Sequence, residues 1–175
     1  IALDSSNNLY VAYYSTEYNY PYYNIALRTS TDGGVTWGAR NDVTANANRH
    51  SRNPAIALDS SNNLYVAYYS TEYNSSYFNI ALRTSTNAGI TWGARNDVTA
   101  NASGHSYNPV IARDSSNNLY VAYYSTEYNA TYNNIALRTS TNAGIPWGAR
   151  KDVTTNTTVD SYEPVIAIDS SNNLY

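Results

Sequence analysis

The sequence predicts an all-β chain of β-propeller blades, each a four-stranded antiparallel meander. Three observations predict it: a 55-residue repeat, four short apolar segments per repeat separated by turn chemistry, and a second segment apolar on both faces. Asp4 to Asn19 recurs unchanged as Asp59 to Asn74 and as Asp114 to Asn129, and Ile166 to Tyr175 opens a fourth copy. Identity that reaches into polar turns marks recent duplication of one unit. Identical units make identical surroundings, which favours a ring or a linear array over a globule with one unique active site. The repeat divides the chain at 1–55, 56–110 and 111–165, with 166–175 beginning a fourth unit of one continuous array. Both ends cut through the repeat, at Ile1 and Tyr175, so a window from a longer polypeptide is expected.

Within the second copy, the first strand is expected over Ala55 to Leu58. It ends at Asp59-Ser60-Ser61-Asn62-Asn63, a polar turn whose asparagines tolerate positive φ. The second strand is Leu64 to Ser70. Alternation places Leu64, Val66 and Tyr68 on one face and Tyr65, Ala67 and Tyr69 on the other, and neither face is polar. This strand should therefore be covered on both sides. The third strand is expected over Asn79 to Thr84 and the fourth from about Thr91 to Thr99. Pro146 replaces Thr91 in the third copy, and proline survives in a sheet only where its missing donor is not needed, so the fourth strand is expected at an outer edge.

The turn between the third and fourth strands has the most specific chemistry. Its three copies run from Ser30 through Asp32 and Gly34 to Trp37, from Ser85 through Asn87 and Gly89 to Trp92, and from Ser140 through Asn142 and Gly144 to Trp147. A short acceptor side chain can bond back to the loop amides, glycine permits a left-handed φ, and tryptophan covers the turn with an apolar plate. This is a fold-stabilising device rather than a catalytic one.

The motif S-x-D-x-G-x-T-W of this turn resembles the Asp-box of the sialidase-like (BNR-repeat) β-propellers, and the resemblance covers every complete unit. Asn87 and Asn142 depart from it, but asparagine still offers the acceptor oxygen, so the turn should survive. The resemblance implies a propeller of six or seven blades, of the kind found in secreted glycosidases, lectin-like modules and surface proteins. It also implies what a sialidase would need: an arginine cluster for the substrate carboxylate, a tyrosine nucleophile with a carboxylate partner, and an aspartate acid/base, each from a different blade. Such a site must break the symmetry of the ring. Here Arg28, Arg83 and Arg138 are copies of one position, Glu17, Glu72 and Glu127 of another, and the Phe-Arg-Ile-Pro motif is absent. These residues read instead as partners of blade carboxylates or tyrosine rings, and no enzyme activity is expected.

In a four-stranded meander successive turns alternate between the two ends of the strands. The Asp4–Asn8 turn and the tryptophan turn share one end and are nearly constant. The second-to-third loop and the blade connection share the other and vary. Recognition is expected at this variable end, where Tyr22, Tyr77 and Tyr132 could stack on sugar rings. Four N-x-S/T acceptors, Asn74, Asn101, Asn129 and Asn156, also lie here and are candidate N-glycosylation sites. His50 and His105 occupy equivalent loop positions, but Asp160 replaces them in the third copy and no set of three or four zinc ligands converges. The Asp-Ser-Ser-Asn-Asn turns lack the second acidic residue a calcium loop would favour. No metal or other cofactor is expected.

Composition narrows the partners. The net charge is −3, with one lysine against nine arginines, so there is no basic stripe and nucleic acid is not expected. Cysteine is absent, which excludes disulfides and thiol metal sites, and no apolar run is long enough for membrane insertion. Twenty tyrosines with abundant Asn, Ser and Thr resemble an extracellular or cell-surface protein. The leading expectation is a non-catalytic scaffold that associates with copies of itself or with further repeats into a closed propeller or a filament. A carbohydrate-binding module comes second and a fragment of a sialidase-like glycosidase third.

Overall fold

The computed structural model describes residues 1–175 and contains only strands, arranged as three separate four-stranded antiparallel sheets. The first comprises β1 (Ala2–Leu3), β2 (Leu9–Asn19), β3 (Tyr22–Ser30) and β4 (Asn41–Asp42). The second comprises β5 (Ser51–Leu58), β6 (Leu64–Ser70), β7 (Asn79–Ser85) and β8 (Asn96–Asp97). The third comprises β9 (Ser106–Arg113), β10 (Leu119–Ser125), β11 (Asn134–Ser140) and β12 (Lys151–Asp152). In each, consecutive strands are neighbours, so every 55-residue unit builds its own blade. The last residues form only the Asp169–Asn173 turn and a bridge from Ile168 to Leu174.

Two expectations need correcting. The inner strand of each complete blade begins at Ser51 or Ser106, ahead of the Ala55 start and of the 55/56 and 110/111 divisions. It runs through Pro54 and Pro109 because the ladder is bulged there: register slips between Arg52 and Ala55, and the residue before each proline takes a left-handed φ, 49° at Asn53 and 46° at Asn108. The outer strand is two residues long rather than the nine from Thr91 to Thr99, since Thr91 and Trp92 are used by the turn. It does lie at the sheet edge, paired only to the third strand, and Val98 and Thr99 continue the contact by donating to the Ile80 carbonyl.

The blades stack through two apolar interfaces that match residue for residue. Between the first and second blades, Tyr10, Ile25, Leu27 and Val43 meet Leu64, Val66, Tyr68 and Ala81. Between the second and third, Tyr65, Ile80, Leu82 and Val98 meet Leu119, Val121, Tyr123 and Ala136. The central strand β6 is thus buried on both faces, as its two-sided apolar pattern requires. Its equivalent β2 has no blade in front of it, and Leu9, Val11 and Tyr13 are only half-buried.

Candidate functional site

Register fixes which loops share an end. Leu64 pairs with both Leu58 and Ser85, placing the Asp59 turn beside the Ser85–Trp92 turn. Ser70 pairs with both Ser51 and Asn79, placing the blade connection beside the second-to-third loop. The constant end and the variable end are therefore opposite.

At the constant end every charged group is occupied in holding the backbone. Asp59 accepts from the amides of Ser61 and Asn63 at 2.9 Å each, from the Asn63 side chain at 2.8 Å and from the Tyr65 hydroxyl at 3.0 Å. Burial alone would raise its pKa, but these donors together bring it below the ordinary carboxylate value, while burial and the carboxylate push Tyr65 up to about 12. In the tryptophan turn, Ser30 Oγ accepts from the Gly34 amide at 2.9 Å and donates to Asp32 at 2.7 Å. Asp32 accepts from the Thr36 amide at 2.9 Å and from its hydroxyl at 2.5 Å. Thr36 and Ser30 hold the Asp32 carboxyl at about 2. Asn87 reproduces the scheme, accepting from the Thr91 amide at 2.9 Å and donating to its hydroxyl at 2.8 Å. In the third copy proline has no amide to give Asn142. The Ser140–Gly144 bond, 3.0 Å, remains.

The glycines and tryptophans of this turn also do interblade work. A Cβ on Gly89 would lie 2.2 Å from Leu27 of the preceding blade, and one on Gly144 would lie 2.5 Å from Leu82. Trp92 and Trp147 pack against the first and second interblade cores, whereas Trp37, with no blade in front, is 40% exposed. Arg83 donates to the Gly93 carbonyl at 3.1 Å and to the Tyr68 hydroxyl at 3.3 Å, and lies 3.7 Å from Glu72; Arg28 and Arg138 bond Gly38 and Gly148 in the same way. The repeated arginines tie the outer segment to the blade.

The variable end gathers aromatic side chains into a belt that crosses the blades. Tyr14 meets Tyr23 at 5.5 Å, and the Arg52 guanidinium lies 4.3 Å over the Tyr23 ring. Tyr69 meets Phe78 at 5.1 Å and Tyr107 at 5.3 Å, Tyr107 meets Tyr124 at 5.5 Å, and Tyr124 meets Tyr162 at 5.1 Å. The proposed stacking residues Tyr22 and Tyr77 join this belt through a histidine, each half-buried against one, His50 at 5.3 Å and His105 at 5.2 Å, which in turn meet Tyr23 and Tyr107. Tyr132 has no ring partner, because Asp160 stands where the other copies have histidine. His50 accepts from the Tyr23 amide, His105 from the Phe78 amide and Asp160 from the Asn133 amide at 2.7 Å. That shared acceptor role explains why an aspartate can replace a histidine there.

The four sequons separate. Asn74, Asn129 and Asn156 are partly exposed, and in Asn74 and Asn129 the side-chain oxygen accepts from the amide two residues on. Asn101 is 7% exposed and its amide nitrogen, the atom a glycan would modify, is enclosed. A glycan on Asn101 would have to displace what encloses that nitrogen in the folded chain.

Sequence reasoning passed over a cleft at the bulged ends of the inner strands. It has a volume of about 490 Å³ and is lined by Tyr14, Asn53, Asn108 and Glu163 with Pro54, Pro109, Val110 and Pro164. Asn53 donates to Asn108 Oδ1 at 2.8 Å, a bond between equivalent residues of successive blades. The third equivalent is Glu163, an exposed carboxylate held at a φ of 52° that suits asparagine far better. The signal was present as Asn-Pro, Asn-Pro, Glu-Pro at constant spacing, a change of charge inside an otherwise repeated strand.

No protein-family model and no curated protein matches the sequence. Solved structures resemble the fold. The Hadza microbial sialidase Hz136 superposes with a TM-score of 0.66 at 16% identity, over 83% of this chain and 35% of that one. The GH93 α-L-arabinofuranosidase of Fusarium graminearum gives 0.67 at 18% identity, over 87% and 47%. The endo-arabinase of Bacteroides thetaiotaomicron gives 0.62 at 12% identity, over 99% and 66%. The chain thus spans about a third to two thirds of the length of these enzymes, and its blades have the sialidase-like β-propeller fold.

Proposed function

We propose that the chain is a non-catalytic scaffold of an extracellular or cell-surface protein, whose blades stack on further blades, of the same polypeptide or of another copy, into a closed propeller or a filament. The observation that supports this reading is a bare leading face and a trailing face only partly covered, by Pro164 to Ile166, Leu174 and Tyr175. On the trailing face Val153 is 62% exposed and Ile135 and Leu137 are half-exposed, where the equivalent Val98 is 1% exposed and Ile80 and Leu82 are fully covered by the next blade. On the leading face Gly34 and Trp37 lack the leucine that Gly89 and Gly144 press against. Each face is the mate of the other, a head-to-tail relation that extends without new contacts being invented. The repeated arginines Arg28, Arg83 and Arg138 each bond a backbone carbonyl of their own blade, which supports a structural task for them.

Light scattering across a concentration series tests this. The chain should associate as concentration rises, and Leu137→Asp with Val153→Asp should abolish it. A chain that stays monomeric throughout, indistinguishable from the variant, rejects association between copies and leaves only stacking on further blades of the same polypeptide.

A second reading is carbohydrate binding, supported by the polar cleft at Glu163 beside a belt of tyrosines and by the glycosidases among the structural neighbours. Titration with pooled glycans separates it. Saturable binding weakened by Glu163→Gln or by alanine at Tyr22, Tyr77 and Tyr132 favours a lectin-like module. Within this reading, a glycosidase requires reactive groups on blades beyond these three.

A further inference from the structure

Near-identical blades raise a problem of order. The two interblade cores share eight equivalent residues, from Tyr10 and Tyr65 to Ala81 and Ala136, and the second adds Ala67, whose equivalent Ala12 is partly buried against the first. A first blade that docked on the third, or on the second blade of another molecule, would therefore lose nothing in its apolar contact. Such mispairing is the characteristic failure of repeat proteins.

The junctions differ along the inner strands, where Asn53 bonds Asn108 and Arg113 donates to the Leu58 carbonyl at the second junction while Glu163 replaces the asparagine at the third, and at the inner end of the variable face they differ as matched sets. At the first junction Tyr23 of one blade lies under Arg52 of the next, a cation over a ring at 4.3 Å, with His50 accepting from the Tyr23 amide. At the second, Phe78 meets Tyr107 at 5.5 Å, and His105 stacks on Tyr107 at 5.3 Å and 14°. At the third, Asn133 donates to Asp160 at 3.1 Å and to the Tyr162 hydroxyl at 3.4 Å. Cation with ring, ring with ring, amide with carboxylate and phenol: from the first junction to the second, Tyr23 and Arg52 give way to Phe78 and Tyr107, and from the second to the third, Phe78 and His105 give way to Asn133 and Asp160 while the tyrosine is kept as Tyr162.

We propose that these sets, Tyr23 with Arg52, Phe78 with Tyr107, and Asn133 with Tyr162, are keys that specify which blade follows which, and that they restrict the pairing of blades from different copies. The physical requirement is modest. Moving Arg52 from Tyr23 onto the Asn133 position removes its ring, and moving Phe78 against the Asp160 loop sets an apolar ring beside a carboxylate. A lost cation–π contact amounts to about a fivefold change in the ratio of correct to incorrect pairing. That is enough to matter where the core supplies no preference at all. This inference rests on the stacked-blade scaffold, but it concerns pairing during folding.

The test duplicates a key. Tyr23→Phe with Arg52→Tyr gives the first junction the chemistry of the second, which is already compatible with this backbone and with the same linker histidine. Wild type and variant are unfolded in urea and refolded at high concentration, each at the final urea concentration that leaves it equally stable. Domain-swapped dimers are then counted by size-exclusion chromatography and located by cross-linking. The keys predict about a fivefold rise in swapped species for the variant, concentrated at the first and second junctions. An unchanged swapped fraction, at matched stability, overturns the proposal, as does a rise spread evenly over all junctions. Association of the native chain is a separate measurement, so failure of the scaffold reading and failure of the keys are told apart.

Discussion

Val98 and Val153 hold the same position in successive repeats, and the presence of a complete following blade distinguishes them. Val98 is 1% exposed and Val153 is 62% exposed. Truncating Val98 to alanine removes two buried methyl groups, about 1.6 kcal/mol at about 0.8 kcal/mol per carbon. The unfilled cavity raises this to roughly 2 kcal/mol. Val153 keeps only about two fifths of that burial, so Val153→Ala should remove ~0.6 kcal/mol. With a urea slope of about 2 kcal/mol per molar, the midpoints fall by roughly 1 M and 0.3 M. The assay is urea unfolding followed by circular dichroism, at a dilution where light scattering shows monomer. Equal shifts under those conditions would refute the claim that blade-on-blade burial, rather than the blade's own fold, supplies this stability. At concentrations where copies associate, the Val153→Ala shift should climb toward that of Val98→Ala.

Asp32 is the only carboxylate among the three tryptophan turns, and its hydrogen bonds lower its pKa from 3.8 to about 2. A depressed carboxylate stabilises the fold above its unfolded value and loses that contribution as pH falls from about 4 through about 2, so amide exchange should show the first blade's turn opening in that window, and Asp32→Asn should remove the dependence. Burial, then the neighbouring Arg52, lowers the pKa of His50; its imidazole should titrate below 6.5 by NMR, Arg52→Gln should raise the midpoint part of the way back, and the fold should weaken as pH drops below 6.5 toward that midpoint. In a glycosylating host, glycopeptide mapping should find Asn101 unmodified whatever the occupancy of Asn74, Asn129 and Asn156, because its amide nitrogen is enclosed; a glycan there would require the second junction to open. Gly89→Ala should destabilise more than Gly34→Ala, since both substitute at positive φ but only Gly89 would drive a Cβ into the buried Leu27.

The blade was legible in the sequence because its information is local. Alternation named β6 to the residue, and the Ser-x-Asp/Asn-x-Gly turn stated its own hydrogen bonds, since donor and acceptor lie within four residues of each other. The inner strand was legible only in part. Proline argued for a break at Pro54, whereas the strand runs on through a bulge with Asn53 at a left-handed φ, and Asn53 there meets Asn108, 55 residues away.

The sequence by itself determined the unit, its turns, and which of its ends is constant. Only the tertiary structure decided that Val98 is core while Val153 is surface, that Asn101 is enclosed while its fellow sequons are open, and that Arg52 belongs over Tyr23. Identical residues carry identical local preferences, so nothing within one repeat can say what will lie against it. Burial is a property of the pair of blades, and the pair exists only after folding.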